Sequence, residues 1–152
     1  MTETALVSSC LLGLATRYDG TDNFSQAVLD YLQQHDLVPI PVCPEQLAGL
    51  PTPRPKCWFT RGDGIDVLKS CGTICNDAGQ DVTKAFSRAA EETLKIADLT
   101  DSKLAILKQR SPSCGNRQIY RNGQLIKGMG VTAAKLRQVG LKVISEDELG
   151  SK

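Results

Sequence analysis

Ala5-Leu6-Val7-Ser8-Ser9-Cys10-Leu11-Leu12-Gly13 begins with a short apolar run that a glycine stops, and it reads as a buried first strand. Working outward, Phe24, Ala27, Val28, Tyr31 and Leu32 recur at helical spacing behind the capping candidates Asp22 and Asn23. Leu37 to Val42 reads as a second strand. Its Pro39 and Pro41 cannot donate to a ladder, so it belongs at a sheet edge. Phe86, Ala89, Ala90, Leu94 and Ala97 mark a second helix capped by Asp81 or Thr83. Leu104-Ala105-Ile106-Leu107, set between Lys103 and Lys108, is a candidate central parallel strand. Ile119 to Ile126 folds around Asn122-Gly123 as a hairpin. Ala133, Ala134, Leu136 and Arg137 give a last helix ending at Gly140, and Leu141 to Ser145 a final strand.

Strands alternating with helices predict an α/β, three-layer, flavodoxin/Rossmann-like fold. Its open parallel sheet has about four strands, helices on both faces and an added hairpin. With the second strand at an edge, right-handed winding gives strand order 2-1-3-4. The 152 residues suit one domain, 1–152. Gly49 to Gln80 carries prolines, glycines and little periodicity, and Ile65 to Leu68 and Gly72 to Cys75 are candidate short strands within it. Pro51-Thr52-Pro53-Arg54-Pro55 reads as a stiff loop near the site, able to form one wall of a pocket.

Hydrophobic residues make up 41% and charged residues 23%, ordinary values for a water-soluble globular chain. No apolar run approaches a membrane span, and Met1-Thr2-Glu3-Thr4 lacks the pattern of a secretory leader, so the expected location is cytoplasmic. Net charge is +1, without a long basic run. Affinity for a nucleic-acid backbone needs clustered Lys or Arg, so the expected partner is a small molecule, with no long nucleic acid and no membrane. The single histidine, His35, sits at a helix end, which excludes chemistry built on several histidines.

Six cysteines in a reducing compartment point to metal binding or catalysis and away from a disulfide framework. Cys10 follows the first strand, Cys43 the second, and Cys114 lies in the loop after the third. In the 2-1-3-4 order these strand ends meet where strand order reverses, the place where open α/β sheets bind ligands. Three thiolates suit soft metals or an iron–sulfur cluster, whereas a structural zinc ion takes four ligands. Three buried apolar cysteines are the plain alternative. Glu45 lies two residues past Cys43, and Ser111 and Ser113 precede Cys114, as an acid/base carboxylate and hydroxyls or as a cap and turn residues. Arg17, Tyr18 and Asp19 follow the first strand above the crevice, either to meet a polar ligand edge or to pair among themselves. Gly128-Met129-Gly130 could present backbone N–H groups at a helix start, but such a motif is more often just a loop. Cys71 and Cys75 are separated by three residues, not the two of redox motifs, and read as incidental thiols on a hairpin, against an extra metal or regulatory pair, while Cys57 reads as partly buried near Trp58.

Several blocks in order resemble the thiouracil desulfidase (TudS) family, formerly a domain family of unknown function. They are Val7-Ser8-Ser9-Cys10-Leu11-Leu12-Gly13, Arg17-Tyr18-Asp19-Gly20 and Pro41-Val42-Cys43-Pro44-Glu45. They continue through Gly49-Leu50-Pro51-Thr52-Pro53-Arg54-Pro55, Asp81-Val82-Thr83, Leu107-Lys108-Gln109-Arg110-Ser111-Pro112-Ser113-Cys114-Gly115 and Gly130-Val131-Thr132-Ala133-Ala134. The resemblance implies a [4Fe-4S] cluster held by Cys10, Cys43 and Cys114, with one iron left for substrate sulfur. It implies Glu45 and Ser111 as catalytic residues and tilts Arg17, Tyr18, Asp19 and Ser113 towards substrate binding. The implied reaction is non-redox C–S cleavage of 2- or 4-thiouracil, or a related thiolated base or nucleoside, giving uracil and sulfide. Some relatives carry an extra domain and act on thiolated tRNA. A zinc-binding structural or regulatory protein using the same cysteines is the main competing reading. An iron–sulfur electron carrier and a metal-free binding module stand behind it.

Overall fold

The computed structural model describes residues 2–149. Its main sheet comprises β1 (Glu3–Ser8), β2 (Leu37–Val42), β5 (Leu104–Leu107) and β8 (Lys142–Ser145), in the order β2-β1-β5-β8. Every pairing is parallel, with β2 at the edge, so the 2-1-3-4 winding expected from the sequence is the one observed. Alternate residues of the central strands serve the two faces. Ala5, Val7 and Ile106 pack with Val28 and Leu32 of α1 (Gln26–Gln34), while Leu6, Ala105 and Leu107 pack with Ala97 of α4 (Thr83–Leu99) and with Ala133 and Leu136 of α5 (Val131–Gln138).

A second, mixed sheet adds to the anticipated hairpin. It comprises β3 (Cys57–Arg61), β4 (Thr73–Asn76), β6 (Gln118–Arg121) and β7 (Gln124–Lys127), in the order β4-β3-β6-β7. Asn122 and Gly123 both take positive φ, 52° and 82°, as a two-residue hairpin turn of this hand requires. Phe59, Ile74 and Ile119 of this sheet bury against Phe86 and Ala90 of α4, Val131 of α5 and Val67 of α3 (Gly64–Leu68). Helices α4 and α5 therefore lie between the two sheets.

Two expectations are corrected, and a third segment takes the plainer of its two readings. Ile65 to Leu68 is helical, because Asp63 and Asp66 form a reciprocal capping box that starts a turn there. The first helix begins later than its apolar spacing suggested. Ser25 caps it by accepting from the Val28 N–H at 3.3 Å, and Phe24 stays outside, 51% exposed. The Gly128–Gly130 N–H groups are spent inside the protein, on the Arg117 carbonyl, Asp63 Oδ2 and the Gly115 carbonyl. Among the described residues no helix is long and apolar enough to cross a membrane.

Candidate functional site

The carboxyl ends of β1, β2 and β5 open into one cavity of about 310 Å³. Cys10 enters it from a 3-10 turn (Ser9–Leu12) that β1 runs into, closed by Gly13 at φ 92°, where a side chain would be strained. Cys43 is the residue before the short helix α2 (Pro44–Leu47), whose first turn carries Glu45 into the same cavity. Pro44 fits the first position of that helix because its missing N–H would have had no partner there. Cys114 comes from the loop after β5 and is 4% exposed.

The helix α5 fixes that loop from below. The Val131 and Ala133 N–H groups donate to the Pro112 and Ser113 carbonyls at 2.9 and 3.0 Å, so the loop backbone satisfies the first turn of the helix. The approach is close: a Cβ at Gly130 would lie 2.5 Å from the Ser113 carbonyl carbon. Glycine is required there by space alone.

Glu45, Ser111 and Ser113 are joined by hydrogen bonds. Ser113 Oγ donates to Glu45 Oε2 at 2.9 Å and lies 3.0 Å from Ser111 Oγ. Ser113 is fully buried and sits behind the cavity wall, also 3.4 Å from Cys114 Sγ. Ser111, Arg17 and Tyr18 line the cavity; Asp19 and Ser113 do not. Asp19 instead accepts from the Thr21 hydroxyl and N–H and pairs with Arg17, and the Thr21 bonds hold its carboxyl below the ordinary carboxylate range.

Sequence reasoning missed four cations, Arg54, Lys56, Lys108 and Arg110, and one thiol on the wall. Arg54 donates to the Thr16 carbonyl at 3.0 Å, and its N–H donates to the Tyr18 carbonyl at 2.8 Å, tying the proline-rich loop across the mouth. Lys108 lies beside Cys10 and pairs with Glu146 at 3.0 Å. Cys57 also faces the cavity. The proline-rich wall was anticipated from its stiffness. The cations had no local signal, because their neighbours come from distant segments.

Burial pushes the Cys10 and Cys43 thiols up, with Glu45 adding to the rise at Cys43, and burial pushes Cys114 up further. Burial also pushes Cys57 up, to about 11. By itself this cavity holds neutral thiols, and a bound cationic group would convert them to thiolates. Among the described residues no three Cys, His, Asp or Glu side chains gather as the ligands of a single metal ion do. The three thiols line the same cavity. Three thiol donors on one cavity are a soft set of the kind that holds an iron–sulfur group.

A family model described as 2-thiouracil desulfurase matches residues 5–148. The chain belongs to the 2-thiouracil desulfurase family. A relative in Bacillus subtilis (strain 168), the uncharacterized protein YbbK, is 42% identical over 147 residues, covering 95% of this chain and 96% of that protein. A solved structure of a [4Fe-4S]-dependent thiouracil desulfidase, TudS, is similar with a TM-score of 0.79 and 37% identity, covering 97% of this chain and 93% of the other. Membership of this family and the α/β fold agree with what the sequence blocks implied.

Proposed function

We propose that this protein desulfurates 2- or 4-thiouracil, or a closely related thiolated base, to uracil and sulfide without net electron transfer. The balance is simple: one water adds its oxygen to the ring carbon, and the sulfur departs as hydrogen sulfide. A [4Fe-4S] cluster held by Cys10, Cys43 and Cys114 would supply a Lewis acid with affinity for the soft thiocarbonyl sulfur. The observation that carries this reading is the meeting of those three cysteines with Glu45 and Ser111 on one cavity.

The remaining chemistry belongs to the chain. Glu45 is the general base for the attacking water, since its carboxylate is two residues from Cys43 and lines the same wall. Ser113 holds Glu45 Oε2 and has its own Oγ beside Ser111, so the two hydroxyls and the carboxylate act as one unit. The Ser111 hydroxyl, on the cavity side, donates to the departing sulfur. Arg17 and Tyr18, which also line the cavity, contact the polar edge of the base. Arg54 and Lys108 offset negative charge in a cavity that otherwise offers one carboxylate.

The experiment is an anaerobic assay of reconstituted protein with each thiouracil and no added reductant. Equal amounts of uracil and sulfide are expected, with Glu45→Gln reducing the rate by about two to four orders of magnitude. Loss of thiouracil without matching uracil, or a strict need for a reductant, would overturn the reading.

A further inference from the structure

Lys56, Cys57 and Tyr120 line the mouth of the cavity and also an adjoining surface groove, which Trp58, Asn122 and Gly123 complete. This groove lies on the outer face of the second sheet. Phe59, Ile74 and Ile119 are fully buried on the inner face, where the helices pack. Side chains alternate along a strand, so Trp58, Cys75 and Tyr120 face outward. Trp58 pairs with Cys75 and Tyr120 with Leu125, and continuing the single parallel β3–β6 pair, Phe59–Arg121, back by one residue on each strand brings Trp58 next to Tyr120. The result is a row across four strands, with two aromatic rings at its centre. Tyr120 and Leu125 are 42% and 45% exposed.

We propose that this face is a stacking platform for a second nucleobase, so that the site takes a short single-stranded oligonucleotide carrying the thiolated base. The proposal rests on the desulfuration reading for what enters the cavity. A base attached to a sugar must leave its sugar at the mouth, and the mouth continues over Lys56 and Tyr120 onto Trp58. Aromatic side chains on a sheet face stack bases with little sequence preference. The joining phosphodiester would pass Lys56 at the shared lip. Among the described residues no carboxylate forms an ion pair with Lys56 or with Arg54. A second copy of the chain is a poorer occupant, because a row of four side chains is small against a stable protein interface. One or two phosphate contacts would also leave only a shallow salt dependence, in keeping with a net charge of +1.

The test is calorimetric titration of the cluster-loaded protein with the dinucleotide UpU and with uridine monophosphate. UpU should bind about tenfold or more tighter. That gain should vanish in Trp58→Leu and in Tyr120→Leu, the latter at an exposed position, and should survive in Trp58→Phe. Equal binding of the two probes, or a gain that persists in Trp58→Leu, overturns the platform. So does a concentration-dependent dimer that Trp58→Leu abolishes. A Trp58-dependent gain in a protein that releases no sulfide from thiouracils would leave the platform standing and remove the desulfuration reading. Sulfide release with no gain would do the reverse.

Discussion

The loop from Lys108 to Gln118 has two unlike sides. Its back is saturated with hydrogen bonds. Gln109, 2% exposed, accepts at Oε1 from the N–H groups of Asn116, Arg117 and Gln118 at 3.2, 3.0 and 2.9 Å. Its amide nitrogen donates to Asn116 Oδ1 and Ser145 Oγ, and its backbone N–H donates to Glu146 Oε1 at 2.7 Å. Asp147 holds Arg110 at 2.7 Å, where Arg110 sits at a positive φ of 70°. The front presents a buried thiol, Cys114, with a raised pKa, and the hydroxyl of Ser111, and Gln109 and Arg110 reach the cavity lining from behind them. Rigidity is supplied from behind so that the front can hold groups that contribute little to folding alone.

The sharpest way to break the contrast is on the front. Cys114→Ser should abolish sulfide release from thiouracils while leaving the unfolding midpoint of the metal-free protein within a few degrees of wild type. Activity assays beside thermal melts would check both halves. On the back, Gln109→Leu takes the acceptor from three backbone N–H groups, that of buried Asn116 and the part-buried ones of Arg117 and Gln118. It should cost about 3 kcal/mol or more in urea unfolding. Activity lost at full stability would instead mean that Gln109 reaches the reacting groups.

Between the two sides lies Ser113. Ser113→Ala removes the donor to Glu45 and the link to Ser111. A rate loss of about ten- to a hundredfold is expected, with only about 1 kcal/mol lost in stability. The smallest effect concerns acid. Arg110 bonds Asp147 and holds its carboxyl below the ordinary range. Burial works to raise Glu148, but bonds from Asn116 and Ser145 and the charge of Arg117 outweigh it, so Glu148 is also lowered. A lowered folded-state pKa means stability present at neutral pH that is lost as pH falls through that value. Below pH about 4, unfolding should become easier, and Glu148→Gln should flatten that dependence in denaturant titrations across pH.

Much of the main sheet was legible because buried parallel strands are plain apolar runs, and Pro39 and Pro41 mark the edge. The second sheet was legible only at its hairpin and at Gly72 to Cys75. Cys57–Arg61 mixes inward Phe59 with polar neighbours and meets β6 through a single registered pair, so no periodicity announced it. At Ile65 a side-chain cap overrode a short apolar pattern. In the site, the three cysteines and Glu45 could be placed together because strand order fixes where strand ends meet. The Ser113–Glu45 bond joins residues 68 positions apart, and Arg54 reaches Thr16 across 38, so neither had a local signature.

The most direct measurement is the iron, labile sulfide and zinc content of protein prepared without oxygen, with its visible spectrum. About four iron and four sulfide per chain are expected, falling sharply in Cys10→Ser, Cys43→Ser and Cys114→Ser. Stoichiometric zinc, or an iron content that those three substitutions leave unchanged, would contradict a cluster held at this cavity.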